Sequence, residues 1–149
     1  MTSGGRADGS TGGTERWMAV DWGTKRIGLA VSDPTGTIAQ PLATLTRRTG
    51  RRFPLRQLKG HLDQWHPAGV VMGLPLEADG SEGPAAREAR EAARLIAEKS
   101  GLPVELLDER MTTARALQAG GSGRADRVDV DQRAAAVLLQ LYLDRRRAR

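Results

Sequence analysis

Three acidic positions stand where the local pattern favours something else. Asp21 ends the apolar run Trp17-Met18-Ala19-Val20. Such a run suits a strand buried on both faces, and a carboxylate there is costly unless it is paired or binds a cation. Its plainer role is to accept hydrogen bonds from the amides of the turn at Gly23-Thr24. Asp108 and Glu109 close a second strand pattern, Val104 to Leu107. Successive strand residues point to opposite faces, so at most one of the two easily serves a shared site. Arg110 stands beside them as an ordinary ion-pair partner. Asp131 lies three residues before Ala134, four before Ala135 and seven before Leu138, which puts it on a buried helical stripe. Its plainer role is as a helix N-cap. Asp129 falls on the opposite, solvent-facing side.

Carboxylates gathered at one end of a sheet repel one another unless a divalent ion binds them. Hard oxygen donors suit Mg²⁺ or Mn²⁺. Two such ions about 3.5–4 Å apart would activate a water and stabilise the leaving oxygen of a phosphodiester. His61 and His66 flank Trp65 with no Cys in the chain and no further His, so they do not fit a zinc site.

The charge points to a polyanionic partner. Among 149 residues there are 23 Lys and Arg against 18 Asp and Glu, a net charge of +5, and only Lys25, Lys59 and Lys99 are lysines. Arginine binds phosphate through a planar fork, and a basic, Arg-heavy small domain favours nucleic acid. A solvated face is the plainer role for each basic run. Arg47, Arg48, Arg51, Arg52, Arg56 and Lys59 form one such block, with no acid between Asp33 and Asp63. Arg145, Arg146, Arg147 and Arg149 form a second at the C-terminus. Each could track a phosphate backbone. The few aromatics, Trp17, Trp22, Phe53, Trp65 and Tyr142, argue against recognition by stacking bases on a sheet face. No disulfide framework is possible, and no apolar run approaches a membrane span. With no apolar leader segment either, a cytoplasmic protein is expected.

The elements that must position these residues follow from the hydrophobic period. Residues 1–15 are rich in Gly, Ser and Thr and read as a disordered extension; residues 16–149 form one domain. After Trp17–Val20 and a tight turn, Arg26 to Ser32 is a second, antiparallel strand. Asp33-Pro34-Thr35-Gly36 is a turn, and Ile38 to Leu45 a third strand, at an edge because Pro41 cannot donate to the ladder. Leu55, Leu58, Leu62 and Trp65 mark a helix, and Val70-Val71-Met72 a buried strand. Glu77 to Gly83 is a loop. Pro84 opens the next helix and Gly101 closes it. A strand over Val104 to Leu107, a short helix over Ala114 to Ala119 and a Gly-rich loop at Gly120 to Gly123 follow. The last helix is expected from about Asp131 to Arg145. The order β-β-β-α-β-α-β-α-α predicts an α/β, ribonuclease H-like mixed five-stranded sheet. Three antiparallel strands come first, two parallel ones follow, and helices cover both faces.

Taken together, four ordered motifs resemble the YqgF/RuvX family. They are Val20-Asp21-Trp22-Gly23-Thr24-Lys25-Arg26-Ile27-Gly28; Gly73-Leu74-Pro75-Leu76 with Asp79-Gly80-Ser81-Glu82; Asp108-Glu109-Arg110-Met111-Thr112-Thr113; and Val130-Asp131 before Ala134-Ala135 and Leu139-Gln140-Leu141-Tyr142-Leu143. The resemblance runs from about Met18 to Asp144. It implies a ribonuclease H-like, Mg²⁺- or Mn²⁺-dependent nuclease whose catalytic, metal-holding acids match Asp21, Glu109 and Asp131. It further implies supporting roles for Arg110 and Thr113, with Asp108 nearby, and places Lys25 and Arg26 beside the substrate. The family was first described as Holliday junction resolvases, and bacterial members are assigned to 5′-end maturation of pre-16S rRNA. RNA is therefore expected ahead of branched DNA, with the protein a monomer or homodimer. The segment Gly120 to Asp129 departs from the family by its Gly content and extra acids.

Two other functions fit parts of the pattern. Asp-x-Gly-Thr after a first strand also cradles phosphate in actin- and sugar-kinase-type ATPases, but those close two such domains over the nucleotide. A non-catalytic nucleic-acid-binding module on the same fold would retain binding after loss of the acids.

Overall fold

The computed structural model describes residues 15–23, 25–47, 53–111 and 124–148, except the side chains of Met111 and of residues 124–129. The expectations for residues 1–14, the short helix at 114–119 and the Gly-rich loop lie outside the described residues. So do the roles expected of Thr24, Arg48, Arg51, Arg52 and Thr113.

Five strands form one sheet: β1 (Trp17–Trp22), β2 (Arg26–Ser32), β3 (Ala39–Thr46), β4 (Gly69–Leu74) and β5 (Val104–Asp108). Their order is β3-β2-β1-β4-β5. β1 pairs antiparallel with β2, and β2 with β3; β4 runs parallel to both β1 and β5. β3 is an edge strand, and its register slips opposite Leu29 and Ala30, beside Pro41. A missing N–H is tolerated there because one side of the strand has no partner to lose. This is the mixed ribonuclease H-like sheet expected from the element order.

Among the described residues, three α-helices cover it. α1 (Leu55–Trp65) and α2 (Pro84–Ser100) pack on one face, with Leu58, Leu62, Ala86, Ala89 and Ile96 against Met18, Val20, Ile27, Leu29, Val70 and Met72. α3 (Arg124–Ala148) covers the other. There Ala135, Leu138, Leu139, Tyr142 and Leu143 meet Trp17, Ala19, Ala30, Val71 and Leu107. Among the described residues, no helix is long and apolar enough to cross a membrane.

Two details differ from the sequence expectation. α3 begins at Arg124, seven residues before Asp131. The stretch Arg124–Asp129 mixes good helix formers (Arg124, Ala125, Arg127) with weaker ones and has little apolar period, so periodicity is silent there. Asp131 is therefore a helix-interior residue and caps nothing. Glu15, at the end of the expected extension, donates its N–H to the Pro34 carbonyl at 2.9 Å and faces Arg146 at 3.7 Å.

The far half of α3 is fastened to the β2–β3 turn. Asp33 accepts the N–H groups of Thr35, Thr37 and Ile38 and the Thr35 hydroxyl, and these bonds hold its carboxyl far below the usual range. Gln140 and Arg147 donate to the Thr37 carbonyl of the same turn. Arg146 lies over Trp17, 4.9 Å from the ring centroid. Tyr142 donates to Glu105 at 2.8 Å, and burial pushes its hydroxyl up to about 12. At least two of the C-terminal arginines thus hold the helix to the sheet.

Candidate active site

The α3 face of the sheet is unusual at its C-terminal edge. The residues that point to it are Asp21 on β1, Gly28 opposite it on β2, Gly73 on β4 and Glu109 just past β5. Two carboxylates and two glycines therefore occupy positions where the opposite face carries Val20, Ile27 and Met72.

Gly73 lies on the strand between Asp21 and Glu109. A Cβ built there would stand 3.4 Å from Glu109 Oε1 and 3.5 Å from Leu138. With no side chain on the intervening strand, Glu109 leans across β4 and hydrogen-bonds Asp21. β1 and β5 are two strand spacings apart, roughly 9.5 Å, too far for short side chains to meet unless the middle strand gives way. Asp21 responds strongly. Burial first, then the hydrogen bond and charge of Glu109, then the charge of Asp131, push its carboxyl from 3.8 up to about 8. A hydrogen bond between two carboxyl groups requires a proton on one of them.

Gly28 brings in the third acid. A Cβ at Gly28 would fall 2.0 Å from the Asp131 backbone oxygen. The helix backbone therefore lies directly on the strand, and the side chain of Asp131 projects beside Asp21. Its carboxylate is held by Arg26, Nε to Oδ2 at 2.5 Å, with side chains 33% and 24% exposed. As arranged, no three His, Cys, Asp or Glu side chains among the described residues are grouped closely enough to enclose a metal ion. Two of the three acids expected at this site are paired, and the third is turned onto a cation.

The donor set suits a hard divalent ion. It consists of carboxylate oxygens alone, and a cation at the pair would displace the proton that now offsets their repulsion. Asp21 and Glu109 would hold such an ion, with Asp131 joining on release from Arg26.

Asp108 points away from this group. Its carboxylate takes Arg110 through Nε and Nη2 at 2.9–3.2 Å and accepts the Arg110 N–H at 2.9 Å. That pairing holds its carboxyl below the usual range. Of the two acids left open by spacing, Glu109 faces Asp21 and Asp108 orients Arg110. The Arg110 guanidinium also reaches the Ala78 carbonyl at 3.4 Å and lies against Gly80, so it props the loop after β4 beside the site. Lys25 is exposed at the β1–β2 turn.

Arg47 differs from the open cation expected of the basic block. Its guanidinium lies 4.3 Å over the Trp22 ring and donates to the Gly23 carbonyl and to Glu88, at 2.7 and 2.9 Å. Only 13% of its side chain is exposed. It braces the β1–β2 turn from the opposite face. There a groove of about 490 Å³ lined by Trp22, Phe53, Leu55 and Leu95 lies away from the acids. His61 and His66 belong to α1 and its C-cap, also on that opposite side. Gly28 and Gly73 are the residues whose part in the site sequence reasoning missed. The signal was available, since each interrupts a strand of larger apolar residues.

The fold is of the ribonuclease H-like kind. Thermus thermophilus RuvC has the same fold: its complex with a Holliday junction substrate aligns over 89% of this chain and 96% of that one, with TM-score 0.58 and 15% identity. A second RuvC structure from that organism aligns with TM-score 0.50. The sequence matches the RuvX family, described as Holliday junction resolvase, over residues 15–145, and the chain belongs to that family. A relative from Anaeromyxobacter sp. strain Fw109-5 is 44% identical over 137 residues, covering 89% of this chain and 99% of its own. One from Myxococcus xanthus is 43% identical over 136 residues, covering 89% of each chain. Both carry the provisional name pre-16S rRNA nuclease.

Proposed function

We propose that this protein is a divalent-metal-dependent nuclease that hydrolyses phosphodiester bonds in 5′-end processing of pre-16S rRNA in the cytoplasm. The observation that carries the reading is the meeting of Asp21 and Glu109 across Gly73, with Asp131 brought beside them by Gly28. Half-buried acids brought together at a sheet edge repel one another, and a bound cation would relieve that cost. The name shared by relatives at 43–44% identity supports RNA as substrate.

In this reading Asp21, Glu109 and Asp131 hold one or two Mg²⁺ or Mn²⁺ ions. The bound metal supplies an activated water and stabilisation of the leaving oxygen. Lys25, Arg26 and Arg110 present cations to the phosphates around the acids, and Asp108 fixes the orientation of Arg110. Arg48, Arg51 and Arg52 would add phosphate contacts, and Thr113 would support the acids. Arg47 serves the framework.

The test is cleavage of a pre-16S 5′-leader RNA, unstructured single-stranded RNA and a four-way DNA junction side by side, with Mn²⁺, with Mg²⁺ and with chelator. Metal-dependent cutting of the leader is expected. Preference for the junction would return the protein to resolvase chemistry, for which a two-fold dimer is the natural form. Binding to the leader without cleavage of any substrate would make it a non-catalytic module.

A further inference from the structure

We propose that Arg26 is a positioning residue that holds Asp131 off the acidic pair until a divalent cation arrives, and that metal loading thereby frees Arg26 to meet a phosphate. The inference rests on the metal-dependent reading above. Arg26 opens β2, with its backbone paired to Thr46 on β3. Asp131 sits on a helix pressed against Gly28. Both backbones are thus fixed, and the Arg26–Asp131 contact opens or closes by side-chain rotation alone. Both side chains are partly exposed, so their ion pair is weak, at most about fivefold in an equilibrium. A divalent ion already held by Asp21 and Glu109 offers Asp131 twice the charge. If Asp131 turned to such an ion, the partly exposed Arg26 fork would be released beside the acids, and a guanidinium binds phosphate through two parallel hydrogen bonds. Metal and nucleic acid then favour each other's binding by the same factor.

The experiment is a Mn²⁺ titration by calorimetry, without nucleic acid, of the full chain and of Arg26→Gln, Asp131→Asn and the double variant, each checked by thermal melting. Arg26→Gln is expected to bind Mn²⁺ about two- to fivefold more tightly, and the gain is expected to vanish in the Asp131→Asn background. No gain in Arg26→Gln would overturn the proposal. So would a gain that persists without the Asp131 carboxylate, since it would reflect only the loss of a nearby positive charge. An unmodified chain that binds no Mn²⁺ would instead remove the metal reading itself, and this inference with it. A second measurement needs no variant. The Nε–H resonance of Arg26 should shift as Mg²⁺ is added, marking release from Asp131. An unchanged resonance at saturating Mg²⁺ would overturn the proposal.

Discussion

Asp21 and Trp22 are consecutive residues on one strand, and they face opposite sides of the same sheet edge. On the α1/α2 side the polar groups around Trp22 are answered. The Trp22 indole donates to Glu88 at 3.0 Å, Arg47 covers the ring, and Phe53 packs 4.9 Å from it. Large apolar side chains fill the space behind. On the α3 side the strands carry small residues, the helix lies close, and like charges meet. One face is built for cohesion. The other accepts electrostatic strain in order to place oxygens together. The difference teaches that the site is made by what the strands lack at Gly28 and Gly73 as much as by the acids themselves.

The largest expected effect comes from removing the charge that this face tolerates. Asp21→Asn keeps a donor for Glu109 but cannot hold a cation, so cleavage should fall by about a thousandfold or more. Stability should move the other way. A carboxyl whose folded pKa is raised from 3.8 to about 8 binds its proton more tightly folded than unfolded. The native chain therefore loses stability as pH climbs from about 4 to 8, and the Asn variant does not share that loss. Melting curves should coincide near pH 3 and separate by several kcal/mol near pH 8, with the variant higher. The same proton governs the metal, and Mn²⁺ affinity should rise with pH until about 8 and then level off. A flat profile would mean that Asp21 is already ionised.

Gly28→Ala tests the close approach of the helix. Its methyl would collide with the Asp131 backbone oxygen, so α3 must shift, at a cost of about 1–3 kcal/mol. Mn²⁺ binding should weaken in parallel. Chemical denaturation and calorimetry would measure both, and an unshifted midpoint would refute the intimate contact. On the cohesive face, Arg47→Met should cost about 1–2 kcal/mol by stranding the Gly23 carbonyl and removing the cation over Trp22, with Mn²⁺ affinity unchanged. Equal losses of metal binding in both variants would dissolve the contrast between the faces. The smallest effect is a gain. Gly60 lies in α1 with open space around it, and Gly60→Ala should stabilise by about 0.4–1 kcal/mol without touching the site.

Much of this architecture is set by local pattern. The three antiparallel strands, the edge position of Pro41, Pro84 and Gly101 at the ends of α2, and Asp21 at the end of a buried run are all readable from period and turn chemistry. Those features depend on neighbours a few residues apart, where side-chain period and backbone restriction act directly. What only the tertiary structure decided joins residues far apart in the chain. Spacing left Asp108 and Glu109 equivalent until the bare backbone of Gly73 let one of them cross to Asp21. The start of α3 at Arg124 turned Asp131 from a cap into an interior residue. Its partner Arg26 lies 105 positions away, and Arg47 met Trp22 and Glu88 instead of solvent. A charged side chain's partner is set by which elements pack together, and no local period carries that information.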